Sequence, residues 1–308
     1  MARLHRAGPP RKIALFTTVY PGVERFLADW YGSVQGQTDQ DFELWIASDA
    51  LTEHEVAAAI GIPPAARWAH GDPGDTPADI RNRALAQIVE TCDAVILVDS
   101  DDILLPTRVA AARQALAGSD LAGCALRLVD AAGRELGETF ASIDGPEARQ
   151  LLPRWNAFGF SNTAYRADLL KQCLPVPRHA RLIDWLVATR ASFFGASLSF
   201  DPAPQMLYRR HGANTASALG PFTPDRIVLD TQLVLEHFEL MIDADATRWH
   251  AVRSKQMRAM HSGIADFQSR IVADAPALHT YTAALQALDL PPVWWTSVAH
   301  PALSHLWN

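Results

Sequence analysis

The 308-residue sequence predicts an α/β domain with a parallel sheet, followed by a helical region at its carboxyl end. Three observations carry that expectation. Over the first hundred residues, short apolar runs alternate with segments of helical period, the β-α-β-α-β-α-β order of a parallel sheet. The run Ala94–Val98 is apolar throughout, as a central strand covered on both faces must be. From Thr223 to about Leu288 the period is helical, with Ile227, Leu229, Leu233, Leu235, Phe238 and Leu240 among the apolar positions.

The elements follow in order. Ile13–Thr18 is a short apolar run between Pro9-Pro10 and Tyr20-Pro21-Gly22, and reads as a buried strand. Val23, Phe26, Leu27, Trp30, Tyr31 and Val34 recur at steps of three and four, which puts them on one face of a helix over 23–35. Phe42–Ala47 is a second strand that runs out at Ser48-Asp49. A short helix over 53–60 stops at Gly61 and Pro63-Pro64, and Arg67–His70 is a third short strand. The loop 71–77 is rich in Gly, Asp and Pro, and a helix over 78–90 leads into Ala94–Val98. Beyond it, Leu121–Val129 and Arg134–Phe140 read as strands around the turn 130–133. Phe158–Tyr165 reads as another strand and Ile183–Phe194 as a helix. The expected boundaries are a loose tail over 1–11, an α/β domain over 12–220 and a helical region over 221–308.

Composition narrows the function. Hydrophobic residues make up 49% and charged residues 20%, enough for a sizeable core and too few charges for a disordered chain. A net charge of −7 argues against a nucleic-acid partner, which demands a basic surface. Cys92, Cys124 and Cys173 form no CxxC or Cys/His zinc pattern, so reduced thiols in the cytoplasm are expected. The basic amino terminus has no apolar core of a secretory signal, and no run reaches the ~18 apolar residues of a membrane span.

Asp99-Ser100-Asp101-Asp102 is the densest chemistry in the chain. Three carboxylates in four residues repel one another and raise each other's pKa. A hard divalent cation, Mg²⁺ or Mn²⁺, relieves that repulsion. The plainer reading is a helix cap, since Asp favours helix starts. The next helix is expected to begin at Pro106, a good first-turn residue, which leaves the carboxylates too early to cap it. In parallel sheets ligands lie beyond the carboxyl ends of the strands, where both this cluster and Asp49 fall.

The ordered blocks IALFTTVYPG, SVQGQTDQDFELWIASD, IRNRAL and AVILVDSDD resemble the family 2 glycosyltransferases. The resemblance spans about residues 12–215. It implies the GT-A (Rossmann-like) fold of nucleotide-diphospho-sugar transferases, with an Asp-x-Asp motif. It also implies a nucleotide-sugar donor, with UDP-sugars favoured, and a saccharide or other hydroxyl acceptor, as in polysaccharide biosynthesis.

The same resemblance assigns roles. Thr17, Asp49, Arg81, Asp99 and Arg210 fall at positions that hold the nucleotide-sugar. Asp49 matches the aspartate that reads the base, although this chain has Ser48-Asp49-Ala50 where two acids are common. Asp101, Asp102 and His211 fall at cation-holding positions. Asp184 matches the catalytic base at a helix start, with Ile183 in place of the usual Glu. An Asp there is also a common N-cap. Gly159–Asn162 resembles the acceptor-side strand. Trp185 and the Trp294-Trp295 pair admit sugar stacking, core packing or, for the pair, a homodimer contact.

Two rivals are weaker on the residues. A nucleotidyltransferase needs a Gly-rich basic loop after the first strand, and a dinucleotide-binding oxidoreductase needs GxGxxG there. The sequence at that place is Thr17-Thr18-Val19-Tyr20-Pro21-Gly22. A non-catalytic sugar-binding protein of the same fold stays open. The implied location is the cytoplasm, with contact at the inner face of the membrane.

Overall fold

A computed structural model describes residues 8–140, 143, 145–212, 214–216, 220–244, 251–290 and 293–307. Of the ranges expected above, residues 1–7, 141, 142, 144, 213, 217–219, 245–250, 291, 292 and 308 lie outside the described residues. The chain divides into an α/β unit (within 8–150, 158–179 and 183–212) and a second unit comprising Leu151–Ala157, Ala180–Leu182 and residues from 214 onward.

Strand β1 (Ile13–Val19) is buried at every position. Helix α1 (Glu24–Gln35) buries Phe26, Leu27, Trp30, Tyr31 and Val34, the face its spacing predicts. Strand β2 (Glu43–Ser48), helix α2 (Glu53–Ile60), strand β3 (Arg67–His70), helix α3 (Pro77–Thr91) and strand β4 (Ala94–Leu97) complete the first half. Both α2 and α3 open with a reciprocal capping box, Thr52 with Glu55 and Thr76 with Asp79. Each such cap is worth roughly 1 kcal/mol and fixes the residue at which the helix begins.

Strand β5 (Ile103–Leu104) and helix α4 (Arg108–Ala115) follow. The helix starts two residues later than Pro106 because a turn intervenes, with Arg108 N–H donating to the Leu105 carbonyl at 3.0 Å. Then come strands β6 (Leu121–Val129) and β7 (Glu135–Phe140), helix α5 (Gly145–Leu151), strand β8 (Thr163–Arg166), helices α6 (Ala167–Cys173) and α7 (Ile183–Phe193), and strand β9 (Leu198–Arg209).

Among the described residues the strands form one sheet in the order β3-β2-β1-β4-β8-β6-β9-β5, with β7 beside the far half of β6. The first four strands are parallel, as expected. The sheet then becomes mixed, because β8 lies antiparallel to both β4 and β6. The expected strand 158–165 is shortened to β8. Residues 158–162 are occupied otherwise: Asn162 donates its side-chain amide to the Cys124 carbonyl at 2.8 Å, and Thr163 Oγ1 bonds the Gly159 carbonyl at 2.9 Å.

Strand β9 escapes a reading of the sequence because Asp201-Pro202-Ala203-Pro204 has loop composition. In the fold the register against β6 slips there, so the prolines sit where ladder donors are not required. Asp201 Oδ1 accepts from Ala203 N–H at 2.9 Å and steadies the irregularity.

The second unit contains helices α8 (Pro224–Ala244), α9 (Ala251–Phe267) and α10 (Ala275–Gln286), with a π turn over Gln268–Val272 and a 3₁₀ turn over Pro301–Leu306. Ile227, Leu233, Leu235 and Phe238 of α8 are buried, whereas Leu229 is 42% exposed. Trp294, Trp295 and Trp307 are buried, so the tryptophans belong to the core. Phe267, Tyr281 and Trp307 meet edge to face.

At Gly123 in β6 an added Cβ would lie 2.5 Å from Phe200 and 3.0 Å from Phe158, whose rings meet edge to face. Gly123→Ala should therefore destabilise the protein by about 1–3 kcal/mol through overpacking. A urea titration checks this, and an unchanged midpoint would count against the packing described.

Candidate active site

Backbone hydrogen bonds continue β4 through Val98, whose N–H donates to the Phe16 carbonyl at 3.0 Å. The chain then turns sharply, with Asp102 N–H donating to the Asp99 carbonyl at 3.2 Å, and enters β5. The acidic cluster is that turn. It is not a helix cap, since β5 and a further turn separate it from α4.

Carboxylate oxygens of Asp99, Asp101 and Asp102 all lie within 4.8 Å of one another. Asp101 and Asp102 are buried and Asp99 is partly so. Ser100 faces away and donates its hydroxyl to the Thr18 carbonyl at 2.7 Å, which ties the turn to β1. Ser161 braces it from the other side. Its hydroxyl accepts from Asp99 N–H at 3.0 Å and donates to Asp102 Oδ2. His211 Nε2 lies 2.8 Å from Asp101 Oδ2, with both side chains nearly buried. Arg209 N–H donates to Asp102 Oδ1 at 2.7 Å, and its Nε donates to the Asp101 carbonyl at 2.8 Å.

Burial, then the charge of Asp101, pushes the Asp99 carboxyl up to about 7. Burial, then Asp101 and Asp99, pushes Asp102 well above the usual carboxylate range. Oxygen donors gathered this closely, two of them reluctant to ionise without a positive neighbour, fit a hard divalent cation.

Two of the other expected residues, Arg81 and Asp184, share the surroundings of this turn. Arg81 lies on α3, its guanidinium 4.8 Å from the centre of the Phe160 ring. Burial lowers its pKa, while Asp99, Asp184, Tyr20 and Asp49 act against that, so these four groups share its surroundings. Asp184 is the second residue of α7, inside the helix rather than at the cap before it. Its charge acts on Asp99, Arg81 and Tyr208, which brings it to the same site. Asp49 sits just past the end of β2, its N–H donating to the Val19 carbonyl at 2.8 Å. Thr17 and Thr18 near the end of β1 are buried, and neither hydroxyl finds a hydrogen-bond partner among the described residues.

Asn82, Arg83 and Arg209, in the Arg-Asn-Arg and Arg-Arg-His segments, make bonds within the protein. Asn82 donates to and accepts from the Val176 backbone, at 2.8 and 2.9 Å, and so clasps the segment after α6. Arg83 is not a free surface side chain but pairs with Asp72 and Asp75 at 2.7 and 2.8 Å. Arg209, rather than Arg210, bonds the acidic turn; the Arg210 backbone N–H donates to the Val129 carbonyl at 2.8 Å. Trp185 is fully buried and belongs to the core.

Tyr20, Tyr208 and Arg209 are site residues that the sequence left without a role, and Ser161, in the expected acceptor-side stretch, turns its hydroxyl to the acidic turn. Burial pushes both phenols up, and the charges of the acidic turn push them further. An aromatic or serine on a strand end carries no chemical signature until the fold brings it to the carboxylates.

No protein-family model matches the chain, and no curated protein does. Solved structures do resemble it. S. aureus TarS 1-349 in complex with UDP-GlcNAc superposes with a TM-score of 0.59 at 17% identity, covering 84% of this chain and 73% of that one. The mannosyltransferase PcManGT from Pyrobaculum calidifontis, in complex with GDP-Man and Mn²⁺, gives 0.54 at 14% identity, covering 94% and 81%. The chain thus has the mixed α/β, GT-A-type fold of these proteins.

The raised carboxyls set a pH dependence. The unfolded chain ionises near 3.8 and the cation-free folded chain near 7 at Asp99. Over that window the unfolded state holds fewer protons, so folding stability without a cation should fall as pH rises. Cation binding must displace the protons that the raised carboxyls of this turn hold, so Mn²⁺ affinity should rise with pH through the acid range. Melting curves and calorimetric titrations from pH 5 to 8 check both, and a pH-independent Mn²⁺ affinity would contradict the assignment.

Proposed function

We propose that this protein is a metal-dependent glycosyltransferase that moves a sugar from a nucleoside-diphosphate donor to an acceptor hydroxyl with inversion. The observation that carries this reading is the gathering of Asp99, Asp101, Asp102, Arg81 and Asp184 at the carboxyl edge of the sheet. The fold around them is shared with TarS in complex with UDP-GlcNAc and with a mannosyltransferase in complex with GDP-Man and Mn²⁺. The family 2 glycosyltransferases remain the assignment we favour, with residues 12–220 as the transferase domain and 221–308 as a helical appendage.

In this reading Thr17 and Asp49 hold the nucleoside, and Asp49 accepts from a base N–H. The donor is a UDP-sugar. Arg81 and Arg210 bind the diphosphate through guanidinium N–H groups. Asp101 and Asp102, helped by His211, would hold Mn²⁺ or Mg²⁺, which neutralises diphosphate charge as it builds on the leaving group. Asp99 lies beside the ribose or the donor sugar.

Asp184 takes the proton from the acceptor hydroxyl. The acceptor oxygen bonds to the anomeric carbon as the bond from that carbon to the diphosphate oxygen breaks. The electron pair of that bond leaves with the nucleoside diphosphate. The acceptor is a saccharide or another hydroxyl compound.

Among the described residues no helix is long and apolar enough to cross a membrane. The three cysteines are buried and free, which fits a reducing compartment, and we place the reaction in the cytoplasm.

Asp184→Asn should lower kcat roughly 10²- to 10⁴-fold, the usual worth of a general base, while nucleotide affinity stays within about twofold. Asp101→Asn should instead abolish the Mn²⁺-dependent part of nucleotide binding. Transfer assays paired with thermal-shift titrations of UDP, GDP and their sugars, with and without Mn²⁺, separate the two. Undiminished turnover by Asp184→Asn would remove the base from the scheme, and a flat thermal response to every nucleotide would favour a non-catalytic protein.

A further inference from the structure

We propose that Arg209 is the positioning residue that holds the acidic turn in register, a role that rests on the cation-binding reading of that turn. Its side chain is 1% exposed. Besides the bonds to Asp102 Oδ1 and the Asp101 carbonyl, Nη1 donates to the Ala131 carbonyl in the β6–β7 turn at 2.9 Å. Nη2 donates to Asp29 Oδ2 on α1 at 2.9 Å. The Phe26 ring lies 4.8 Å from the guanidinium carbon and 5.0 Å from the His211 ring.

One residue therefore joins four elements: α1, the acidic turn, the β6–β7 turn and the end of β9. A guanidinium suits the task because it is planar, permanently charged and carries five N–H groups in a rigid fork. A lysine ammonium at the same place keeps the charge but cannot reach the Asp101 carbonyl, the Ala131 carbonyl and Asp29 together.

The hold is two-sided. The Arg209 backbone grips the Asp102 carboxylate and its side chain grips the Asp101 backbone. Two residues on, His211 grips the Asp101 carboxylate. The end of β9 thus holds both Asp101 and Asp102 in place. Arg209 is itself buried and acts through Asp101 and Asp102.

The test compares the full-length wild type with Arg209→Lys. In the metal-free proteins, amide hydrogen exchange should speed up over residues 100–103 and 131–133 while β1 and β2 keep their protection. Mn²⁺ affinity by calorimetry should weaken about ten- to a hundredfold, the usual effect of losing a partner behind the ligands. Turnover should fall with the acceptor KM within about twofold of wild type. Unchanged exchange together with unchanged Mn²⁺ affinity overturns the inference. If the wild type binds no Mn²⁺, the cation reading fails and the exchange comparison alone decides the positioning role. If Arg209→Lys does not fold, Asp29→Asn replaces it, because the Asp29 side chain is 56% exposed. That variant should show the same exchange pattern with a several-fold loss of Mn²⁺ affinity, and no change in either overturns the proposal.

Discussion

Burial of negative charge at the turn 99–102 is the constraint on which the rest of the α/β unit depends. Carboxylates this close repel each other, and burial strips the water that would otherwise screen them. Burial and that repulsion raise the pKa of two of the carboxyls, Asp99 and Asp102. The remaining cost is met by donors that converge from distant parts of the chain: Ser161 before β8, Arg209 at the end of β9, and His211 just beyond. The sheet order serves this, since β8 pairs with β4 and β9 with β5, on either side of the turn.

Arg81 shows how local chemistry serves the site. The capping box of Thr76 and Asp79 and the proline at the first helical position fix where α3 begins. A helix of fixed start presents its fifth residue in a fixed direction, and that residue is Arg81. Asn82 and Arg83 then lock the helix to its neighbours, through Val176 and through Asp72 and Asp75. The guanidinium of Arg81 is left to share its surroundings with Asp99, Asp184, Tyr20 and Asp49.

The likeness to TarS and to the mannosyltransferase reaches the fold at identities of 17% and 14%. Agreement of fold across so many substitutions is expected when the same layered arrangement is satisfied by many apolar sequences. Function has to be argued from the residues at the strand ends instead. Asp184 without an acidic neighbour, and Ser48-Asp49-Ala50 in place of two acids, are the places where this chain differs from the pattern it resembles.

Sequence alone determined the first four parallel strands, the buried face of α1 and the place of the acidic turn at the end of a buried strand. Those features are written in local periods: Phe26, Leu27, Trp30, Tyr31 and Val34 at helical spacing, and Ala94–Val98 without a polar break. Tertiary structure alone decided that β8 runs antiparallel, and that β9 forms across two prolines. It also decided that Arg209 rather than Arg210 reaches the carboxylates. None of these has a local signature, because each depends on a partner far away in the chain: β6 for β9, and Asp101, Asp102 and Asp29 for Arg209. Adjacent arginines are alike in sequence. Only the pleat of β9 against β6 turns one of them into the core and leaves the other to the next turn of the chain.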